Sequence, residues 1–437
     1  MAALVGRPAL SRCLRVVCVL TALTMLGTAC SAGEDETTPG VTATTVTIGS
    51  HQALTGPAAT GSSVAPAAKA YFDYVNDHGG VNGRKIIFDY RDDAYVPANA
   101  LTVVRKLVEK DKVFAVFGGF GTSAHQAVAG YLNAHKVPDL FPISGCPCWN
   151  DPAKLPYTFG WHVDYIREGK ILGTYVAKAF PAKRIAYFYQ DDELGKSGVA
   201  GLDMVIPASR VVARGAYRFG YSAVTTAAQA IIRAKPDIII SFSLATYTAL
   251  LRLAQKKAGD TSQLVVSQVG SDPTALATLL SPPDQPNAPG QSNPLLQGII
   301  TDAQLPPVAD TSNRWIALVK KIHDSYIPSQ PMNRYTEMGV ASAYTFVEAL
   351  QRAGRNLTRQ SLINALQRGG LSRGPGLTPL EYSPTSHAGY TGVQIGVIKD
   401  NGLVLQGWPM VTDDGRGAVK TYKAPPTRVP PGGIPSP

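Results

Sequence analysis

From Thr45 onward, short strand-like runs alternate with longer runs that place apolar residues every three or four positions. The run 45–49 (TVTIG) alternates as a half-buried strand does, and Val64, Ala68, Tyr71, Phe72 and Val75 then share one helical face. Gly79-Gly80 and Asn82-Gly83 mark turns ahead of a strand at 85–90 (KIIFDY). A helix after Pro97 leads to a buried strand at 113–117 (VFAVF), a helix at 122–135 and a strand at 139–143. The second half repeats the alternation. Helices at 165–180, 195–205, 224–234 and 246–257 precede strands at 184–189, 211–218, 237–241 and 263–267. Two long helices follow, near 312–326 and 336–353, and Asn401-Gly402 predicts a hairpin between 392–399 and 403–407. Strands alternating with helices predict an α/β fold of mainly parallel sheets covered on both faces. Such sheets bind ligands in the loops at the carboxyl ends of their strands.

The N-terminus reads differently. Arg7, Arg12 and Arg15 precede an apolar run, Val16–Leu26, which ends in Gly27-Thr28-Ala29 and then Cys30. A basic region, a short apolar region and small residues before a cut are the parts of a secretory signal, here 1–29. The run is shorter than the roughly 20 residues that span a bilayer. Cys30 directly after the small residues resembles a bacterial lipoprotein signal, in which that cysteine is acylated. Gly27 stands where such signals usually carry leucine, so an ordinary signal with an unrelated cysteine is the alternative. Residues 30–43 are expected to be a flexible linker, and the Pro/Gly-rich 424–437 a disordered tail.

Composition narrows the classes. At 437 residues the chain is long enough for two lobes. Its formal charge is +10, and loss of the three signal arginines leaves +7. The basic residues are scattered, with no dense stripe interleaved with aromatics, so nucleic acid is not expected as a partner. Once the signal leaves, Cys146 and Cys148 are the only cysteines besides Cys30. Outside the cytoplasm they are a candidate local disulfide, and two ligands alone make a poor metal site.

Three catalytic patterns fail on inspection. Gly119–Ala124 fits a loose GxGxxA dinucleotide fingerprint, with Asp139 downstream. However, its strand is not the first of the sheet, and an exported protein rarely meets soluble NAD. Gly195-Lys196-Ser197 resembles a P-loop end, but Gln190 stands where the earlier glycine is required. Neither GxSxG nor a serine–lysine signature occurs. Asp92-Asp93 and Asp191-Asp192-Glu193 fit helix capping and solvation better than acid–base chemistry. No enzyme activity, cofactor or metal is therefore expected. What remains is a set of small and hydroxyl residues after strands, Thr122-Ser123 and Ser144-Gly145. They suit an anionic or polar group at a helix start. Phe120, Trp149, Trp161 and Tyr165 lie near enough to supply aromatic walls.

Leu54-Thr55-Gly56-Pro57, Gly79–Ile86 (GGVNGRKI), Asp92-Asp93 and Gly118-Gly119 are arranged as in a known family. Over about 44–410 the chain resembles periplasmic-binding-protein-like type I receptors of the branched-chain amino acid (Leu/Ile/Val) group. The resemblance implies two α/β lobes joined by three crossings: 44–163 with 302–390, and 164–301 with 391–423. It implies a monomeric receptor, and with the Cys30 signal one that is exported and lipid-anchored to the outer face of the cytoplasmic membrane. Such a receptor delivers a small solute to the permease and ATPase subunits of an ABC importer. A sensor of the same fold and a secreted enzyme are the alternatives. By resemblance, Thr122, Ser123, Ser144 and Gly145 hold the ligand head group, with Phe120, Trp149, Tyr165 and Tyr247 as further contacts. The family's aromatics are replaced here by Thr60 and Leu194. Val269 stands where the family carboxylate meets the ligand ammonium, and Asp272 is the nearest acid. Either the ligand lacks an α-amino group or Asp272 moves into the role.

Overall fold

The computed structural model describes residues 1–3, 38–218, 221–281 and 292–436. The expected signal, and Cys30 with it, lies outside the described residues apart from 1–3. Residues from Thr38 onward form one compact unit.

Its first lobe is built on β1 (Thr45–Gln52), β2 (Lys85–Asp92), β3 (Ala115–Phe117), β4 (Asp139–Leu140) and β5 (Thr158–Phe159). These strands pair in the order β2-β1-β3-β4-β5, all parallel. Helices α1 (Val64–Asp77), α2 (Pro97–Glu109) and α3 (Thr122–Ala134) connect them. The second lobe follows with α4 (Tyr165–Ala179), β6 (Ile185–Gln190), α5 (Glu193–Asp203), β7 (Val211–Tyr217) and α6 (Tyr221–Arg233). It continues with β8 (Ile238–Phe242), α7 (Ala245–Ala258), β9 (Gln263–Val266), α8 (Pro273–Leu280) and β10 (Ile300–Ala303). The chain then returns to the first lobe with α9 (Arg314–Tyr326), α10 (Arg334–Ala353), α11 (Arg359–Gln367) and the hairpin β11 (Leu380–Ser383) and β12 (Ser386–Tyr390). It ends in the second sheet with β13 (Gly392–Lys399), β14 (Gly402–Leu405), β15 (Met410–Val411) and β16 (Lys420–Thr421). That sheet runs β16-β15-β13-β10-β9-β8-β6-β7, with β14 also on β13.

Burial explains these choices. β8 reads IIISF with every residue buried, as a parallel strand covered on both faces must. Phe72, Phe88, Phe117 and Phe346 meet edge to face or tilted in the first lobe's core, with ring centroids 5.2–5.8 Å apart. The 20-residue α10 is buried over nearly its whole length because it packs between α1 and α11. Three segments cross between lobes: 160–164, the chain after Ala303, and 390–392. They run side by side, with Val163 N–H donating to Gln304 Oε1 (3.0 Å) and Tyr390 N–H to Trp161 O (3.3 Å).

Both expected flexible ends need correction over their described parts. Residues 38–43 are docked on the first lobe, where Thr47 N–H donates to Gly40 O (2.7 Å) and Val41 bridges Val46. The tail 424–436 is irregular but bound. Tyr71 Oη donates to Gly433 O (2.9 Å), Tyr74 Oη to Gly432 O (2.6 Å) and Trp315 Nε1 to Thr427 O (2.9 Å). Proline and glycine limit regular structure there to one 3-10 turn at Pro431–Gly433, yet backbone carbonyls along the tail accept bonds from aromatic donors that burial leaves short of partners.

Candidate functional site

The carboxyl ends of β3 and β4 face the second lobe across a cleft. β3 ends in a glycine turn, 118–121, in which Gly121 has φ +89° and packs against the Tyr95 ring. Thr122 then opens α3. Its Oγ1 lies 2.8 Å from Ser144 Oγ and 3.2 Å from Tyr165 Oη. Thr122 and Ser144 come from the first lobe and Tyr165 opens α4 of the second, so the three buried hydroxyls join the lobes. Burial pushes the Tyr165 phenol up to about 12, so it stays a neutral donor at physiological pH.

These hydroxyls edge a cavity of about 530 Å³ that opens to solvent. Phe120, Ile143 and Met338 form its apolar wall on one lobe, and Leu194, Leu244 and Val269 on the other. Phe120 is held close: a Cβ on Gly61 would sit 2.3 Å from its ring. Tyr95, His162, Gln268, Arg334 and Tyr335 complete the lining. Burial, reinforced by Arg334, lowers the His162 imidazole to about 3, so the ring is neutral. Arg334 opens α10 and reaches across the cleft, donating from its guanidinium to Gln268 O (2.9 Å) and to Gln268 Oε1.

A buried polar chain lies behind the glycine turn. Asp93 Oδ2 is 2.6 Å from His51 Nδ1, His51 Nε2 is 2.8 Å from His125 Nδ1, and His125 Nε2 is 2.9 Å from Asp139 Oδ1. A Cβ on Gly119 would fall 2.4 Å from His125 Nδ1 and 2.6 Å from His51 Nε2, so this pair accounts for a glycine there. Asp93 Oδ1 also accepts Tyr95 N–H (2.6 Å), and Asp92 Oδ1 accepts Ala94 N–H (2.9 Å). These bonds hold Ala94 and Tyr95 at φ +54° and +60°, a conformation that non-glycine residues adopt only when their surroundings enforce it. The acidic pair at the end of β2 therefore shapes the cleft rim.

Of the residues singled out in the sequence, Phe120, Thr122, Ser144 and Tyr165 line the cleft, as do Thr60, Leu194 and Val269. The others stand behind it. Ser123 faces the Tyr95 phenol, and Gly145 accepts the Tyr165 N–H (2.7 Å). Trp149 donates through Nε1 to Ser144 O (3.2 Å) and meets the His125 ring edge to face, bracing the Ser144 loop from below. Tyr247 packs on Tyr217, centroids 5.0 Å apart. Asp272 is spent as the N-cap of α8: Oδ1 accepts Ala275 N–H (2.7 Å) and Oδ2 accepts Arg334 N–H (3.1 Å). It does not move into the cleft. Cys146 and Cys148 are joined as a disulfide in the Ser144 loop. Sequence reasoning missed Tyr95, His162, Gln268 and Arg334. Tyr95 and Gln268 carried a signal, their place just after a strand.

Comparison with known proteins agrees with this geometry. A Leu/Ile/Val-binding protein of Rhizobium johnstonii is 28% identical over 159 residues, covering 35% of this chain and 41% of that protein. Matches to the curated relatives span 32% to 41% of those proteins' lengths. A branched-chain amino acid ABC transporter protein from Thermus thermophilus, solved with bound valine, superposes with TM-score 0.72 at 20% identity, over 85% of this chain and 97% of that one. A fatty acid ABC transporter substrate-binding protein from Thermomonospora curvata gives TM-score 0.70 at 21% identity, over 88% of this chain and 98% of that one. Residues 45–402 match the periplasmic binding protein family, and with that span covered this chain belongs to the family and has its type I fold.

Proposed function

We propose that the protein is the solute receptor of an ABC importer, binding a branched-chain amino acid or a related small amphipathic solute between its lobes. The observation that carries this reading is the Thr122–Ser144–Tyr165 hydroxyl cluster, at a helix start and built from both lobes. Hydroxyls and free backbone N–H groups orient one polar end of a ligand, while the apolar walls take the rest. A ligand touching both lobes favours the closed state, the form a permease distinguishes from the open one. No bond is broken in that cycle.

Acylated Cys30 is the anchor in this reading, holding a monomer at the outer face of the cytoplasmic membrane beside its permease and ATPase. No helix among the described residues is long and apolar enough to cross a membrane. Titration calorimetry across amino acids, amides and small carboxylates tests the receptor reading. Saturable binding of one class is expected, and no heat and no thermal shift across the whole panel would refute it. Labelling with a clickable fatty acid tests the anchor: label on the wild type and none on Cys30→Ser is the expected result.

A further inference from the structure

Arg334 carries the formal charge of the cleft lining, since His162 is neutral and no carboxylate among the described residues lines the cavity. The acids around it are turned elsewhere: Glu168 Oε1 and Asp302 Oδ1 accept Gln268 N–H (2.9 and 3.0 Å), and Asp192 Oδ1 accepts Leu194 N–H (3.0 Å) as the N-cap of α5. Asp272 caps α8, and Glu337 lines the neighbouring cavity between α8, the chain after Ala303 and the β13–β14 turn. An α-ammonium in this cleft would be buried without a counter-charge and beside a guanidinium, which costs more than its contacts return. The cleft also holds an unanswered polar group. His162 is 5% exposed, sits on the first crossing segment and lines the cavity, and its Nε2 has no hydrogen-bond partner. Buried polar atoms are nearly always bonded, so an unpartnered one on a residue that lines a cleft points to a ligand atom.

We propose that the cleft selects a small carboxylate on a compact apolar body with no ammonium group, and that His162 is a specificity-determining residue whose Nε2 meets it. The hydroxyls at the start of α3 and the field of Arg334 both favour negative charge, and the neutral imidazole adds a hydrogen bond without adding charge. The substrate class follows from what faces the cavity, and it rests on reading the chain as a solute receptor.

Matched pairs that differ by the ammonium test it: isocaproate against leucine, isovalerate against valine, and hydrocinnamate against phenylalanine, by titration calorimetry on the processed protein. The acid is expected to bind about tenfold tighter or more in each pair that binds. His162→Ala and His162→Asn, checked for native thermal melting, should each weaken the acid about fivefold. Leucine or valine binding as tightly as its acid would overturn the inference while leaving the receptor reading intact. Acid affinity unchanged in a folded His162 variant would overturn the role of His162. Silence from every compound, amides included, would overturn both readings.

Discussion

Thr122 and Ser144 were identifiable in the sequence because both are hydroxyl residues a few positions beyond strands, where a parallel sheet exposes its ligand-facing loops. Their mutual bond at 2.8 Å was not, and it changes how substitutions should add. In the proposed reading, removing either hydroxyl deletes a ligand contact and also frees its partner. Thr122→Ala and Ser144→Ala should each weaken binding about fivefold, the worth of one hydrogen bond. The double variant should lose less than the product of the two, because contacting groups are not independent. Calorimetry with the tightest acid of the panel measures this, and strict additivity would argue against a shared cluster. Histidine titration supplies a second expectation. Burial lowers His387 to about 4, against a bond to the Thr158 carbonyl that raises it, and lowers His162 to about 3. Below pH about 6.5 the unfolded chain takes up protons that these folded rings refuse, so stability falls as pH drops toward those values. Asp302 and Glu337 are raised well above the carboxylate range, mainly by burial, and act in the opposite sense: their contribution is lost as pH rises. The difference between proteins isolates one ring. Between about pH 5.5 and 4, His162→Gln should flatten the slope of unfolding free energy by about 1.4 kcal/mol per pH unit, read from urea titrations.

Strands and helices were legible where a period was long and clean. The expected helices at 165–180 and 246–257 appear as Tyr165–Ala179 and Ala245–Ala258, and the strand at 85–90 as Lys85–Asp92. Thr158–Phe159, Ile300–Ala303 and the Leu380–Tyr390 hairpin were not foreseen. All are short, and the partners of Ile300–Ala303 lie far away in the chain, at Val265 and Gln394–Val397, beyond the reach of local patterning. The same blindness hid the histidine pair, 74 residues apart in sequence. The tail was misjudged for a different reason. Composition reports that 424–436 cannot form a long helix or a strand, but not that Tyr71, Tyr74 and Trp315 present donors along its path. Truncation after Lys423 would remove these acceptors and leave Tyr71, fully buried, without the carbonyl it donates to. An orphaned buried donor costs about 1–3 kcal/mol, and several act together here. A fall in melting temperature of about 5 °C or more is expected by calorimetry. Ligand affinity should hold, because the tail packs on α1, α9 and the far end of α10 (Gln351 Nε2 donates to Pro435 O, 2.5 Å) rather than on the cleft. An unshifted melt would mean that the tail is a passenger.

The two lobes are held together across the cleft by few bonds. Arg334 grips Gln268, Tyr335 Oη donates to Val269 O (3.3 Å), and Thr246 Oγ1 donates to Pro57 O (3.1 Å). Gln268, Val269, Arg334 and Tyr335 also line the cavity, so changing them would confound closure with ligand contact. Thr246 does not. It stands on α7 of the second lobe, and Pro57 follows β1 in the first, so their bond reports closure alone. Thr246→Val keeps the shape and removes the donor. Losing one net hydrogen bond, about 0.5–1.5 kcal/mol, lowers the population of the closed state two- to tenfold relative to the open one. The variant should therefore bind up to about tenfold more weakly, with no change in thermal unfolding of the individual lobes. Small-angle scattering adds the structural readout. The ligand-free variant should show a larger radius of gyration than the ligand-free wild type, and the two should coincide at saturating ligand. Weaker binding with identical scattering would place Thr246 in ligand contact instead. Unchanged binding together with unchanged scattering would mean that the Thr246–Pro57 bond does not govern closure, which then rests on the Arg334–Gln268, Tyr335–Val269 and Thr122–Tyr165 contacts.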